Sequence, residues 1–116
     1  MKIVAHRGYC ARFPENSIVA FEQAIGAAAD LVETDVRMTR DGIPVCWHDP
    51  DLRRVAGVGI VIEQVPAAEL AAITLPGGAR VCRLSDVLSL ARGRVPLMLD
   101  VKVDGVAVQA AVIEAV

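Results

Sequence analysis

The stretch LVETDVRMTRDGIPVCWHD, residues 31–49, carries the pattern that decides the fold. Between 30 and 38, apolar residues flank two carboxylates and predict a strand; they are Leu31, Val32, Val36 and Met38. Asp41-Gly42, between two apolar runs, predicts a β-hairpin whose second strand covers 43–48. A two-residue turn at this point would place Asp35 opposite His48, whereas a bulge would shift the register by one residue.

Strands and helices alternate on both sides of this hairpin. The further predicted elements are strands at 2–5 and 96–103 and helices at 17–29, 66–72, 85–91 and 106–116. Ser17 and Ser85 are the candidate N-caps of two of these helices. The alternation predicts an α/β fold with a mainly parallel sheet. A complete (β/α)₈ barrel takes about 250 residues, so a chain of 116 residues would hold only the first part of one.

The composition excludes several classes of protein. Hydrophobic residues make up 54% of the chain, which excludes disorder, and a net charge of −2 gives no basic excess for nucleic-acid binding. The chain has no run of about 18 apolar residues, so no transmembrane segment is expected, and the N-terminus lacks a signal-peptide core, so a cytoplasmic location is expected. Cys10, Cys46 and Cys82 lack metal-ligand spacing and are expected to be buried reduced thiols.

Carboxylates stand two residues apart within a predicted strand. Residues two apart on a strand point to one face, so Glu33 and Asp35 share a face, and so do Asp100 and Lys102. Buried carboxylates repel one another unless a cation lies between them. An oxygen-rich site of this kind suits Mg²⁺ or Ca²⁺ better than Zn²⁺.

Histidines and cations follow the same strands. His6 and His48 are the only histidines in the chain, and imidazole is the side chain that transfers protons near neutral pH. Arg7 and Lys102 could hold an anion. Together with the carboxylates, this set fits phosphoryl chemistry best.

Each of these features also has a structural interpretation. A single histidine at a strand end is more often structural than catalytic, and a Glu-x-Asp pair alone is commonly a solvated strand face. Arg53-Arg54 is interpreted as a solvated charge pair on a loop, and Trp47 as a core residue. The joint pattern therefore favours the functional interpretation, where each feature alone does not.

The ordered motifs resemble the glycerophosphodiester phosphodiesterase family. AHRGYCARFPENSIVAFEQAI resembles the family's His-Arg-Gly…Pro-Glu-Asn signature, LVETDVRMTRDGIPVCWHDPDLRRVAG resembles its Glu-x-Asp…Asp-Gly…His-Asp…Leu-x-Arg stretch, and PLMLDVK resembles its later Glu-x-Lys strand. The match runs in order to about residue 103. Each motif is moderately specific, and the ordered set is highly specific.

The resemblance implies a TIM-barrel enzyme that uses a divalent ion to hydrolyse glycerophosphodiesters to glycerol 3-phosphate and an alcohol. The implied site residues are the acid/base pair His6 and His48, the phosphate contacts Arg7 and Lys102, the metal ligands Glu33, Asp35 and Asp100, and the loop residues Glu15 and Asn16. The family's third ligand is usually Glu, and Asp100 stands in its place. The family's small inserted segment would fall at about 50–83.

The main hypothesis is therefore the N-terminal half of a metal-dependent phosphodiesterase. One alternative is a truncated, non-catalytic assembly or phosphate-binding module, and another is a related barrel acting on lysophospholipids or inositol lipids. Four strands leave two sheet edges open, and the helix at 106–116 is apolar around much of its surface. The chain is thus expected to pack against another copy or the remaining half of the barrel, and its last helix is expected to be buried.

Overall fold

The structure, a computed structural model, describes residues 2–103 and 105–115. Within these ranges the elements are β1 (Val4–His6), α1 (Ile18–Gly26), β2 (Leu31–Met38), β3 (Pro44–Cys46), α2 (Arg53–Ala56), a 3₁₀ turn (Ile62–Gln64), α3 (Ala67–Ala71), a second 3₁₀ turn (Pro76–Gly78), α4 (Leu84–Ala91), β4 (Leu97–Val101) and α5 (Val106–Ala115). The predicted order of strands and helices is confirmed apart from the additional short helix α2, and all four strands are shorter than expected. Asp104, predicted with Gly105 to end the last strand, and Val116, predicted to end the last helix, lie outside the described residues.

Strand β2 is the centre of the sheet. It pairs in parallel with β1, where His6 lies opposite Glu33, and in parallel with β4, where Asp35 lies opposite Asp100. Strand β3 runs antiparallel to the end of β2. The residues of β2 that pair with β4, 32–36, overlap those that pair with β1 and those that pair with β3. Strand β4 therefore occupies one edge of β2, and β1 and β3 share the other. The mainly parallel α/β sheet that the sequence predicts is therefore confirmed.

The predicted register of the β2–β3 hairpin is wrong by one residue. Val36 lies opposite Cys46, and the Trp47 N–H donates to the Asp35 carbonyl over 3.1 Å, so Trp47 and not His48 is opposite Asp35. The turn has three residues, 40–42, and ends on Gly42 at a φ of +77°. A turn of this kind is the usual three-residue alternative to a two-residue hairpin.

The two predicted N-caps have different outcomes. The Ser17 hydroxyl accepts the Ala20 N–H over 3.2 Å, so the cap of α1 is confirmed. Helix α1 ends at Gly26 and not at 29, because Ala28 leaves the helix with a φ of +61°. The Ser85 cap is wrong: α4 begins one residue earlier, and the Asp86 carboxylate accepts the backbone N–H that precedes the helix.

Two apolar clusters hold the fold together. The first packs α1 and α4 on the sheet, and its largest buried member is Phe21, which is 1% exposed. The second is formed mainly by side chains of the segment 50–83 together with residues of and just after β3. It includes the buried side chains of Trp47, Leu52, Ile62 and Leu70. The core position expected for Trp47 is confirmed. Segment 50–83 thus folds around apolar side chains of its own, and its identity as the family's inserted segment stays a prediction.

The cysteines are free, but they do not share one environment. Cys46 and Cys82 are buried, as expected, whereas Cys10 is exposed. The expectation is therefore wrong for Cys10, which lies in the loop after β1, where the chain has left the sheet.

Helix α5 is less covered than its composition predicts. Val112 packs against the first apolar cluster, but Ile113 is 75% exposed. The side chains at 106–108 and 114–116, where further apolar positions were predicted to be buried, lie outside the described residues. In the part of the chain that the structure describes, every helix is too short or too polar to cross a lipid bilayer. The cytoplasmic location stays a prediction.

Apolar side chains are exposed along the outer strands of the sheet. Val4 on β1 and Met98 and Val101 on β4 are between 38% and 47% exposed. Unpaired strand edges with apolar side chains promote association between chains. We therefore expect the purified 116-residue chain to self-associate, with a sedimentation-velocity mass above that of the 12.3 kDa monomer.

A pair of matched variants tests this expectation. Val101→Lys places a charge on the β4 edge and should lower the average mass. Val58→Lys, on a loop residue with almost the same exposure (39% against 38%), should leave it unchanged. A monomeric wild-type chain at micromolar concentration with cooperative unfolding would show that the strand edges are not an association surface.

Candidate active site

Three carboxylates meet on one face of the sheet. Oxygen atoms of Glu33, Asp35 and Asp100 all lie within 4.8 Å of one another. The parallel pairing of β2 and β4 places Asp35 opposite Asp100, and the alternation along β2 adds Glu33. Burial is the largest cause that raises the pKa of Glu33, and the neighbouring Asp35 and Asp100 carboxylates raise that pKa further. The cluster that the sequence predicted is therefore present and electrostatically unfavourable on its own.

Both predicted cations contact this cluster. Arg7 Nε lies 3.1 Å from Asp35 Oδ2, and the Arg7 N–H donates to Glu33 Oε1 over 3.2 Å. Lys102 Nζ lies 2.7 Å from Asp100 Oδ2 and 3.6 Å from Asp35 Oδ1. The hydrogen bond to Asp100 is the main cause that raises the pKa of Lys102. Lys102 is therefore held charged at the edge of the cluster.

One oxygen of the cluster suits a metal ion in particular. Asp35 is 0% exposed, and no donor among the described residues is within hydrogen-bond distance of its Oδ1 atom. A buried carboxylate oxygen without a hydrogen bond is costly, and Lys102 Nζ at 3.6 Å compensates that cost only in part. Mg²⁺ and Ca²⁺ are bound by oxygen ligands, mostly carboxylates, carbonyls and water. The residues present therefore fit a divalent cation.

Of the two histidines, His6 contacts the cluster and His48 contacts Asp49, in the loop after β3. His6 is the last residue of β1, and its Nε2 atom lies 3.7 Å from Glu33 Oε2. His48 follows β3, and its Nδ1 atom lies 2.7 Å from Asp49 Oδ1. The His6 side chain is 59% exposed and that of His48 is 34% exposed. Both imidazoles are thus open to a reactant.

The loop between β1 and α1 is fixed by Asn16. Its Nδ2 donates to Asp35 Oδ2 over 3.1 Å, and its Oδ1 accepts the Thr34 hydroxyl over 3.1 Å. Its backbone N–H donates to the Arg7 carbonyl over 3.0 Å, and its own carbonyl accepts the Cys82 thiol over 3.2 Å. Arg7 and Asn16 both have positive φ values, 56° and 54°. Backbone strain of this kind persists only where the surroundings hold it, and here those surroundings include the carboxylate cluster.

The sequence interpretation missed several residues of the site. Arg54 was interpreted as solvated, but its guanidinium binds both Glu15 and Asp49. Thr34 and Cys82 contact Asn16 and carried no sequence signal. For Arg54 the signal in the sequence is its place in the Leu-x-Arg part of the motif.

Gly8 allows the site loop to lie directly on α1. Its φ is +77°, and a Cβ added there would lie 2.7 Å from the backbone carbon of Ala20. Gly93 has a similar φ of +72° with open space around it. We expect Gly8→Ala to destabilise the chain by about 1–3 kcal/mol more than Gly93→Ala. Both substitutions strain the backbone to a similar degree, but only the Cβ at position 8 also clashes with Ala20. Urea unfolding of the two variants measures this difference, and equal midpoints would contradict it.

Comparison with known proteins identifies relatives of the whole site region. The model of the glycerophosphoryl diester phosphodiesterase family matches residues 6–114. A glycerophosphodiester phosphodiesterase of Bacillus altitudinis is 32% identical over 114 residues, which covers 87% of this chain and 44% of that protein.

Solved structures extend the likeness to the fold. The glycerophosphodiester phosphodiesterase of Thermotoga maritima has a TM-score of 0.87 and 35% identity, with 98% of this chain and 49% of that chain covered. An Oleispira antarctica phosphodiesterase in complex with the product sn-glycerol-3-phosphate has a TM-score of 0.88 and 28% identity, with 99% and 51% covered. The chain thus has the fold of a partial TIM barrel, as predicted, and spans about half the length of these proteins.

Proposed function

Because the chain belongs to the glycerophosphoryl diester phosphodiesterase family, we propose that it carries the catalytic half of a metal-dependent enzyme. The reaction is the hydrolysis of glycerophosphodiesters to glycerol 3-phosphate and an alcohol. The observation that supports this most directly is the cluster of Glu33, Asp35 and Asp100, which contacts Arg7, Lys102 and His6.

The carboxylates are proposed to hold the cation, Mg²⁺ or Ca²⁺. When bound, such an ion polarises a phosphoryl oxygen and offsets the charge that develops on it. Asp100 is one methylene shorter than the family's usual glutamate, yet its oxygen lies in the same 4.8 Å group as those of Glu33 and Asp35. This distance supports Asp100 as a ligand in its own right.

Arg7 and Lys102 are proposed to contact the phosphate. Each cation lies on the edge of the cluster with a carboxylate partner, so each is already oriented toward the face where a phosphodiester would bind. The planar guanidinium of Arg7 offers paired donors to phosphate oxygens, and Lys102 acts as a point charge. Asn16 supports this arrangement because it fixes both the Arg7 carbonyl and the Asp35 carboxylate.

The histidines are proposed to move the protons. One imidazole accepts the proton of the nucleophile, a substrate hydroxyl or water, and the other donates a proton to the leaving alkoxide. They come from β1 and from the loop after β3, and these two loop regions are joined by the contacts of Arg54 with Asp49 and Glu15. Their exposure supports this role, since neither imidazole is enclosed in the core.

A substrate panel tests the proposal. The purified chain is incubated with glycerophosphocholine, glycerophosphoethanolamine or lysophosphatidylcholine, with Mg²⁺, with Ca²⁺ or with a chelator, and glycerol 3-phosphate and free alcohol are measured. We expect cation-dependent release of glycerol 3-phosphate from the first two substrates. Hydrolysis of lysophosphatidylcholine alone would favour the lysophospholipid alternative, and binding of glycerol 3-phosphate without turnover would favour a phosphate-binding module.

A further inference from the structure

The guanidinium of Arg54 joins two carboxylates that lie far apart in the sequence. It donates to both oxygens of Glu15, over 2.7 and 2.8 Å, from 39 positions away along the chain. It also donates from Nε to Asp49 Oδ2 over 2.8 Å. The side chains of Glu15 and Asp49 are only 17% and 19% exposed. This is a paired, partly buried arrangement, unlike an isolated surface salt bridge.

Each of these carboxylates touches a residue of the proposed reaction. Asp49 Oδ1 lies 2.7 Å from His48 Nδ1, and Glu15 Oε2 lies 3.2 Å from Arg7 NH1. Arg54 therefore connects the loop after β3 with the loop after β1. The two loops have no other ion pair between them among the residues that the structure describes.

The position of the Asp49 carboxylate, which Arg54 holds through Nε and NH2 against His48 Nδ1, gives this connection a chemical consequence. The hydrogen bond from Arg54 is the largest cause that lowers the pKa of Asp49, and it is likewise the largest cause that lowers the pKa of Glu15. An ionised carboxylate only accepts hydrogen bonds. Neutral His48 must then carry its proton on Nδ1, which leaves Nε2 free to accept one.

We propose that Arg54 is a positioning residue that, through its two-sided guanidinium, fixes the Nδ1-protonated tautomer of His48 and the place of Arg7. The inference rests on the proposed function, since it gives that same site a residue that orients an acid/base group. Arg54 itself touches neither the carboxylate cluster nor the proposed phosphate position. Its effect passes through Asp49 and Glu15.

The neighbouring arginine provides a matched control. Arg53 stands on the same short helix, α2, and its side chain is 75% exposed with only a 3.7 Å contact to Asp51. Arg53→Ala removes the same charge and the same atoms as Arg54→Ala, without touching Asp49 or Glu15. Arg54→Lys keeps the charge and removes the planar donor fork.

Two measurements on these variants test the inference. The first is ¹⁵N NMR of the histidine-labelled chain in alkaline solution, which reports the tautomer of each neutral imidazole directly. We expect the Nδ1-protonated form of His48 in the wild type and in Arg53→Ala, and a tautomer mixture in Arg54→Ala and Arg54→Lys. The second is kcat/KM with glycerophosphocholine, where Arg54→Ala should lose about 10- to 100-fold, recover in part with added guanidinium ion, and differ from a nearly unchanged Arg53→Ala.

The outcomes separate this inference from the proposed function. If the wild type hydrolyses no phosphodiester and Arg54→Ala still changes the His48 tautomer, the positioning role holds and the proposed function fails. If Arg54→Ala and Arg53→Ala have the same tautomer and the same activity, the inference is overturned. If Arg54→Ala does not fold, as judged by circular dichroism, Arg54→Lys decides: a wild-type tautomer in that variant overturns the role of the guanidinium fork.

Discussion

Replacing Glu33 with Gln and Asp35 with Asn together is expected to abolish binding of Mg²⁺ or Ca²⁺ to the chain. The two substitutions remove the two buried carboxylates of the cluster and leave only Asp100, which is exposed. Isothermal titration calorimetry of the wild type and the double variant measures the affinity. In an active preparation, we also expect hydrolysis to fall at least about 1,000-fold, since a bound ion contributes several kcal/mol to the reaction.

The control for this prediction is a second pair of carboxylates. Glu63→Gln with Glu69→Gln removes the same two charges from exposed positions outside the cluster. This variant should bind the ion as the wild type does. Unchanged affinity in the Glu33 and Asp35 double variant would show that the cluster is not the metal site.

Replacing Glu33 alone with Gln should weaken ion binding but raise the stability of the ion-free chain. The pKa of Glu33 is raised in the folded chain, mainly by burial, so the folded state binds more protons there than the unfolded state. Stability therefore falls as the pH rises from the usual pKa of a glutamate through the raised one. Without a divalent ion, Glu33→Gln should unfold at a higher temperature than the wild type at neutral pH. The cluster thus favours ion binding at the expense of the ion-free fold.

Most of the site could be predicted because strand periodicity is a local property. Glu33 and Asp35 had to share a face once the strand was predicted, and parallel pairing with the strand of Asp100 followed from the alternation of strands and helices. The order of the motifs then placed the histidines at two strand ends. None of these steps required knowledge of a contact between distant side chains.

The wrong predictions arose where one local pattern allows two geometries. Asp41-Gly42 is compatible with a two-residue and with a three-residue turn, and side-chain bonds favour the longer one here: the Thr39 hydroxyl accepts the Ile43 N–H over 3.0 Å and donates to Asp41 Oδ1 over 2.5 Å. Ser85 is a plausible cap from the sequence, but the Asp86 carboxylate accepts the Arg83 N–H and the helix begins at Leu84. In both cases a neighbouring polar side chain decided the outcome.

The role of Arg54 was beyond the reach of local patterns for a different reason. Its partner Glu15 is 39 positions away, and nothing in the charge pattern of RRVAG distinguishes Arg53 from Arg54. Only the fold shows that one faces two carboxylates and the other faces solvent. Long-range ion pairs of this kind depend on loop geometry, which a single sequence does not determine.

Replacing either histidine with Ala is expected to lower the turnover of glycerophosphocholine by about 10²- to 10⁴-fold, the usual contribution of a general acid or base. His6 and His48 are the only imidazoles in the chain. When one is replaced, no other histidine can take over its proton transfer. Steady-state kinetics on each variant measures the loss. Folding should change little, because both side chains are partly exposed.

Metal affinity separates proton transfer from a loss of the cluster. His6 Nε2 is 3.7 Å from Glu33 Oε2. A lower affinity for the cation in His6→Ala would therefore mean that this residue acts on the carboxylates and not on the substrate. His48 contacts Asp49 instead, and His48→Ala should bind the ion as the wild type does. Added imidazole should restore part of the activity in each variant whose histidine only transfers a proton. Nearly full turnover in either alanine variant would show that the residue replaced is not a member of the acid/base pair.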